Sequence, residues 1–211
     1  EKIDYIMTAF PTPSKLENDI ALIVPLERKY FTELSKVGAD PDLWTLNPRR
    51  MQGPEDMADY LEDALMEQEK GISIPFVIID KRSGLARPSD SEGGEVAGST
   101  RYANLYPNHK RLEIGWTWIG KKFQQSGLNR AVKFELLRYG FETLDLNRIE
   151  LKTDILNTAS RNAMKKLGAR EEGILRGHTL MASGRYRDTV YYSILKSEWP
   201  DIKRTVFASF L

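Results

Sequence analysis

The sequence predicts a mixed α+β fold: a mostly antiparallel sheet with helices packed against it. Three observations carry that expectation. Across 112–118, Leu112, Ile114, Trp116 and Trp118 alternate with Glu113, Gly115 and Thr117, the period-two signature of a strand. Soon after, Leu128, Ala131, Val132, Leu136 and Tyr139 recur at helical spacing, with Phe134, Leu137, Phe141 and Leu144 beside them. Beyond that helix, strand-like runs at 148–153, 170–178 and 188–195 are interrupted by one helical stretch at 157–167, an order that belongs to a mixed sheet.

The remaining elements follow in chain order. Residues 20–25 form a short strand, and a helix runs from 26 to about 37, where Gly38 supplies a stop. The turn-rich link 40–48 carries Trp44. Pro54 sits where a first helical turn tolerates proline, and Met57, Leu61, Ala64 and Leu65 make one face of a helix ending at Gly71. A strand follows over 72–80. The stretch 82–94 is polar and rich in Gly, Ser and Pro, which suits a mobile hairpin tip better than a domain linker. Strands over 94–106 and 111–119 continue an antiparallel meander. In the tail, 198–211, Pro200 favours a last short helix beginning after Trp199, and Trp199 with the apolar end 206–211 is a candidate dimer contact.

Composition narrows the function. At 211 residues the chain fits one domain with room for a core and a ligand slot. Charged residues make up 29% with a formal net charge of +1, which argues against disorder and against a broadly basic nucleic-acid surface. The absence of cysteine removes disulfides, thiolate metal sites and a cysteine nucleophile together. Two separated histidines, His109 and His178, do not suggest a zinc site. The apolar runs are too short to span a membrane and no signal-peptide pattern opens the chain, so a cytoplasmic protein is expected. The chain opens on Glu1, and the expectation does not extend to what precedes it.

Several residues could carry chemistry. The helix that starts near Gly127 presents NH groups with no intrahelical partner at the positive end of its dipole, which can seat a phosphate; an ordinary glycine turn accounts for the same fragment. Asn157 stands where a helix cap belongs. Ser160 leads the series Ser160, Ala163, Met164, Leu167, whose spacing marks a buried face, so its hydroxyl needs a partner in the protein or in a ligand. Glu113 lies on the strand face opposite Leu112, Ile114, Trp116 and Trp118; with both sheet faces covered, its carboxylate is partly desolvated, which suits a general base, and a solvated strand glutamate is the competing reading. His178, Asp188, Tyr191 and Tyr192 could project near the sheet centre, where such residues are more often structural. Lys121, Lys122, Arg130, Arg161, Lys165 and Lys166 flank the two helix starts or line the second helix, fitting either solvation or a polyphosphate ligand.

Three segments over roughly 112–199 together are specific: LEIGWTWIGKKFQQSGLN, LKTDILNTASRNAMKKLGAREEGILR and RDTVYYSILKSEWP. They resemble the Gcn5-related N-acetyltransferases, and most closely the branch of the bacterial ribosomal-protein N-acetyltransferases. Gln124-x-x-Gly127 is similar to the start of that family's Q/R-x-x-G-x-G/A pyrophosphate loop, with Asn129 in place of its final small residue. The first hundred residues match only in the order of their elements.

The resemblance implies a sheet of about seven strands with a splayed central pair. It implies a single acetyltransferase domain over 1–211: an acceptor-side half at 20–110, an acetyl-CoA-binding half at 111–198 and a tail at 199–211. It implies acetyl-CoA as cosubstrate and no metal. The cofactor would contact Trp118, Ile119, Gln124, Gln125, Ser126, Gly127, Leu128, Asn129 and Arg130, then Asn157 and Arg161. The implied chemistry is direct acetyl transfer to a primary amine, with Glu113 as base, Asp188 or His178 in reserve, and Ser160 assisting the departing thiolate. A protein N-terminal amine is the expected acceptor; a small amine such as an amino sugar, polyamine or antibiotic is the alternative, and a non-catalytic acyl-CoA-binding protein is the alternative of another class. Freeing a lysine amine of pKa near 10.4 at pH 7 costs about 4.6 kcal/mol, against about 1.4 for an α-amine near 8, so an N-terminal amine needs the weaker base. No nucleic-acid or membrane partner is expected, and the protein would be a monomer or homodimer.

Overall fold

The computed structural model describes residues 10–49, 51–83 and 93–211. Its elements run β1 (Leu16–Glu17), β2 (Ala21–Pro25), α1 (Phe31–Val37), α2 (Pro54–Glu69), β3 (Ile74–Asp80), β4 (Glu95–Tyr106), β5 (Arg111–Ile119), α3 (Leu128–Arg138), β6 (Arg148–Asp154), α4 (Thr158–Lys166), β7 (Arg170–Leu180), β8 (Tyr186–Leu195) and α5 (Trp199–Thr205). The expected elements are present with modest shifts at their ends. The eighth strand is β1, two residues long and too short to leave a periodic signal. The hairpin tip expected over 82–94 lies mostly outside the described residues.

One sheet takes all eight strands in the order β1-β2-β3-β4-β5-β6-β8-β7. Every neighbouring pair is antiparallel except β5 and β6, which run parallel. The parallel pairing is short. It joins Arg111 to Arg148, Leu112 to Ile149 and Glu113 to Glu150, and then ends. Past that point β5 continues to Ile119 and β6 to Asp154 with no pairing between them, so the sheet forks at its centre.

Each face of the sheet has its own core. On one, Phe76, Tyr102, Leu112, Ile114 and Ile149 pack with Leu128, Ala131, Val132, Phe134 and Leu136 of α3 and Met164 of α4. On the other, Leu22, Val24, Val77, Val96 and Trp118 pack with Leu34 of α1 and Met57, Tyr60, Leu61 and Ala64 of α2. α2 starts at Pro54, where the missing NH costs the helix nothing. Each helix is polar outside and apolar toward the sheet, and that burial is the main favourable term in holding the layers together.

The tail is not an open apolar face. Phe207 is fully buried, and the rings of Phe134 and Phe207 stand 5.3 Å apart, those of Phe134 and Phe210 5.1 Å, and those of Phe141 and Trp199 5.6 Å. The aromatic residues read as a candidate dimer contact therefore pack within the same chain, against Phe134 of α3 and Phe141 just beyond it. Among the described residues no helix is long and apolar enough to cross a membrane.

Candidate active site

The centre of the site is an irregularity in β5. Ser99 pairs with Trp118 and Arg101 with Gly115, so β4 spends one residue, Thr100, where β5 spends two. This is a β-bulge, and Trp116 carries the left-handed backbone it requires, with φ 49°. The bulge reverses the alternation. Leu112 and Ile114 face α3, whereas Trp118 turns to the opposite core, 5.4 Å from the ring of Trp44. Trp116 belongs to neither core and is 39% exposed. The four apolar residues read as one strand face are thus divided, since an extra residue shifts a period-two pattern by one.

Thr117 turns with the bulge toward α3. There its hydroxyl accepts a hydrogen bond from Lys133 Nζ at 2.7 Å and lies 2.8 Å from Thr100 Oγ1. Lys133 and Glu135 are buried among the apolar residues of α3, and burial pulls the Lys133 amine down from 10.5 to about 7, against the opposing pull of the Glu113 carboxylate.

Glu113 occupies the last paired position of the fork and is 2% exposed. Its Oε2 accepts from Asn104 Nδ2 at 2.7 Å and forms an ion pair with Lys152 Nζ at 2.9 Å. Asn104 reaches it because β4 is irregular there, with Asn104 at φ 48°. Gly115 makes the room: a Cβ at that position would stand 2.7 Å from Glu113 Oε1.

Several cationic side chains, two of them buried, gather around Glu113. Arg101, almost fully buried, pairs with Glu67 of α2 at 2.9 Å and lies over the Tyr60 ring at 4.8 Å and the Trp116 ring at 5.9 Å. Lys152 lies over Trp116 and Tyr191. Arg187 is buried with its Nε on Thr189, and burial holds its guanidinium below the usual value despite the pull of Asp154 and Glu113. His178, exposed on β7, contacts Thr189 Oγ1 and meets the Tyr191 ring edge-on. Asp188 accepts from the backbone NH of Gly177, where the β7–β8 register shifts, so its carboxylate is engaged in shaping the hairpin.

The far end of β5 leads into the loop before α3. Gln125 at φ 57° and Gly127 at φ 85° are both left-handed, and Gly127 caps α3 without a side-chain bond. Space around Gly127 is open, for a Cβ there would meet nothing within 4 Å. Gln124 anchors the loop through Ile119 O at 3.0 Å, and Ser126 Oγ donates to Phe123 O. The first-turn NH groups of α3 therefore face an uncapped opening suited to an anion. Arg82 was not expected here. It donates to Ser126 O at 2.8 Å while paired with Asp80, a contact between distant parts of the chain that leaves no local pattern. Leu128 is fully buried with its NH donating to Ser126 Oγ at 3.4 Å, and Arg130 bends away to Val206 O and the rings of Phe207 and Phe210.

At the start of α4, Asn157 Oδ1 accepts from Ser160 N at 3.0 Å, the cap its position suggests. Ser160 is half-buried beside it. Arg161 is engaged with Tyr192 Oη and Ile155 O. Among the described residues, four buried polar atoms have no hydrogen-bond partner: Tyr60 Oη, Arg101 Nε, Trp118 Nε1 and Asn129 Oδ1. Buried polar atoms are normally satisfied. Asn129 stands in the first turn of α3, and Arg101 and Tyr60 stand beside Trp116, so these unmet groups occur at both ends of the site.

Known proteins agree with this geometry. The acetyltransferase (GNAT) domain family matches residues 21–170. The Bacillus subtilis (strain 168) protein YdaF, named as a candidate ribosomal N-acetyltransferase, is 38% identical over 106 residues, 50% of this chain and 57% of that protein. The spermidine N(1)-acetyltransferase of Escherichia coli (strain K12) is 31% identical over 107 residues, 50% of this chain and 56% of that protein. These alignments span little more than half the length of either relative. The crystal structure of a GCN5-related N-acetyltransferase from Brucella melitensis superposes with a TM-score of 0.81 at 27% identity, covering 95% of this chain and 88% of that one. With the forked sheet, the bulged strand and the glycine loop opening α3 all in place, and a domain match over most of its length, this chain belongs to the GNAT acetyltransferase family.

Proposed function

We propose that this chain transfers an acetyl group from acetyl-CoA directly to the α-amine of a protein N-terminus. The observation that carries the reading is the fork that opens at Glu113: an unpaired strand edge leads from a buried carboxylate to an uncapped helix N-terminus. The residues present fit acetyl-CoA, the cosubstrate of the family. Backbone NH groups at the start of α3 and the nearby Arg82 suit its phosphates. The unpaired edges of β5 and β6 suit the amide-bearing arm, which supplies an activated acetyl thioester when bound.

The protein's own groups then divide the work. Glu113, held by Asn104 and Lys152, takes the proton of the acceptor amine directly or through a water. In this reading a backbone NH of the stretch of β5 not paired with β6 polarises the acyl oxygen. The tryptophan and tyrosine rings around Arg101 line the acceptor approach.

The cationic surroundings of Glu113 favour an acceptor with a single amine. Arg101, Lys152 and Arg187 would repel a polyamine, whereas a peptide brings one positive group and loses that charge before reaction. An α-amine also demands less of the base, as computed above. The test is thiol release from acetyl-CoA against N-terminal peptides, spermidine, amino sugars and antibiotics in parallel. Turnover with peptides exceeding that with spermidine is expected. Preference for spermidine would overturn the acceptor assignment, and CoA binding without release on any amine would favour a non-catalytic role.

A further inference from the structure

Lys133 is the one buried amine on α3, and the reading given so far does not use it. Its neighbours on that helix, Val132, Phe134, Leu136 and Leu137, are buried hydrocarbons, the usual content of a helix face packed on a sheet. A lysine in that setting is costly unless its charge is met. It is met only in part. Nζ donates to Thr117 Oγ1 at 2.7 Å, its one hydrogen bond among the described residues, although an ammonium has three N–H donors. The charged group that faces it is Glu113 on β5, and that carboxylate is already shared with Lys152 of β6. β4 contributes the neutral Thr100, and Glu135 on α3 itself turns away to Asn18 and Arg138.

The place matters as much as the group. Thr117 lies beyond the last β5–β6 pair, so Lys133 projects to the open part of the fork. It also lies on α3, less than two turns after Gly127, so one helix carries both the phosphate seat and this amine. A ligand held at the start of α3 and extended along the fork toward Glu113 passes Lys133 on the way.

Building on the acetyl-CoA reading, we propose that Lys133 is the acid of the transfer, giving a proton to the sulfur of CoA as it leaves. The acceptor nitrogen forms the C–N bond with the acyl carbon, the C–S bond breaks, and its electron pair goes to sulfur. Lys133 supplies the proton that sulfur takes, and Glu113 receives the proton that nitrogen loses. The two residues return to their starting states by passing one proton from Glu113 to Lys133 through water. Atoms and charge balance with no further reactant.

Two properties favour Lys133 over the Ser160 hydroxyl for this role. An amine held near pH 7 releases its proton readily to a thiolate whose own pKa is roughly 8.5, whereas a serine hydroxyl is a far weaker acid. Until the thiolate forms, the ammonium is poorly compensated, so the new negative charge relieves a cost already present.

The test is the titration of the thiol of CoA bound to the intact protein, read by the ultraviolet absorbance of the thiolate, in wild type, Lys133→Met and Lys133→Arg. In wild type the bound thiol is expected to ionise about tenfold or more readily than free CoA. Lys133→Met should abolish that gain while CoA still binds. Lys133→Arg should retain it, because the cation remains, yet slow acetyl transfer, because arginine does not give up its proton. As a check that needs no variant, the Lys133 side-chain Cε resonance of wild type should titrate at higher pH with CoA than with desulfo-CoA. Equal thiol titration in wild type and Lys133→Met, or equal Lys133 titration with the two ligands, would overturn the assignment of Lys133 alone. Failure of wild type to bind CoA would instead overturn the acetyl-CoA reading and this inference with it.

Discussion

Glu113 Oε2 lies 2.9 Å from Lys152 Nζ, which stands two residues beyond Glu150, the partner of Glu113 on the last rung that β5 and β6 share. The pair stands where the two strands part. Glu113 is almost fully buried and Lys152 is partly exposed, so the carboxylate is held toward the fork while the lysine remains in contact with solvent.

Glu113→Gln preserves side-chain volume and one acceptor for Asn104 but removes the charge and the base. Turnover should fall by about 10²-fold or more, with a smaller change in the affinity for CoA. Rate measured across pH with a peptide acceptor checks this, and an unchanged profile would remove Glu113 from the chemistry.

Gly115→Ala tests the room given to that carboxylate. The added methyl would meet Oε1 at 2.7 Å, and Asn104 and Lys152 restrain the side chain from moving aside. The fold should persist, since the obstruction is one side-chain oxygen, while turnover drops by about tenfold through misplacement of the base. Circular dichroism and thiol release on the same sample separate the two effects.

Gly127→Ala places a Cβ on a backbone at φ 85°, where no neighbour obstructs it but left-handed geometry costs about 1–2 kcal/mol. Relaxation of that strain would turn the first NH groups of α3 away from the phosphate seat. CoA affinity measured by calorimetry should weaken by several-fold or more, with the loss much smaller for a pantetheine fragment lacking phosphates.

Lys133→Met should alter stability in a pH-dependent way. The folded amine titrates at about 7, below its ordinary 10.5. Between those values the unfolded chain holds a proton that the folded chain does not, so stability of the wild type rises with pH across this window. Well below pH 7 both states are protonated and the full cost of the buried charge is borne. The methionine variant should therefore gain most at about pH 6, less at about pH 8, and nothing at about pH 10, where the lost Thr117 bond leaves it about 1 kcal/mol behind. Urea midpoints at the three pH values give the answer.

Much of this was legible in the sequence, because local periodicity reports which face a residue buries. Leu128, Ala131, Val132 and Leu136 recur at helical spacing and all lie in the core under α3. Gly127 opens that helix as a glycine before an apolar period should, and Asn157 caps α4 as its residue type favours. Alternation placed Glu113 opposite Leu112, Ile114, Trp116 and Trp118; the structure keeps Leu112 and Ile114 in one core, but sends Trp118 to the other and leaves Trp116 in neither.

The bulge at Trp116 had no such signal. One inserted residue is invisible to a pattern that reads only apolar against polar, yet it sends Trp118 to the other core and turns Thr117 to Lys133. Arg82 meets Ser126, and Arg101 meets Glu67 and Tyr60, through pairings between segments far apart in sequence. The sequence by itself determined the α+β class, the glycine loop that opens α3, and the residue types available for acid and base work, since these depend on local chemistry. Only the tertiary structure decided which of those residues share the fork, because the register of β4 on β5 and the early end of the β5–β6 pairing are products of strand association, to which no single segment is a guide.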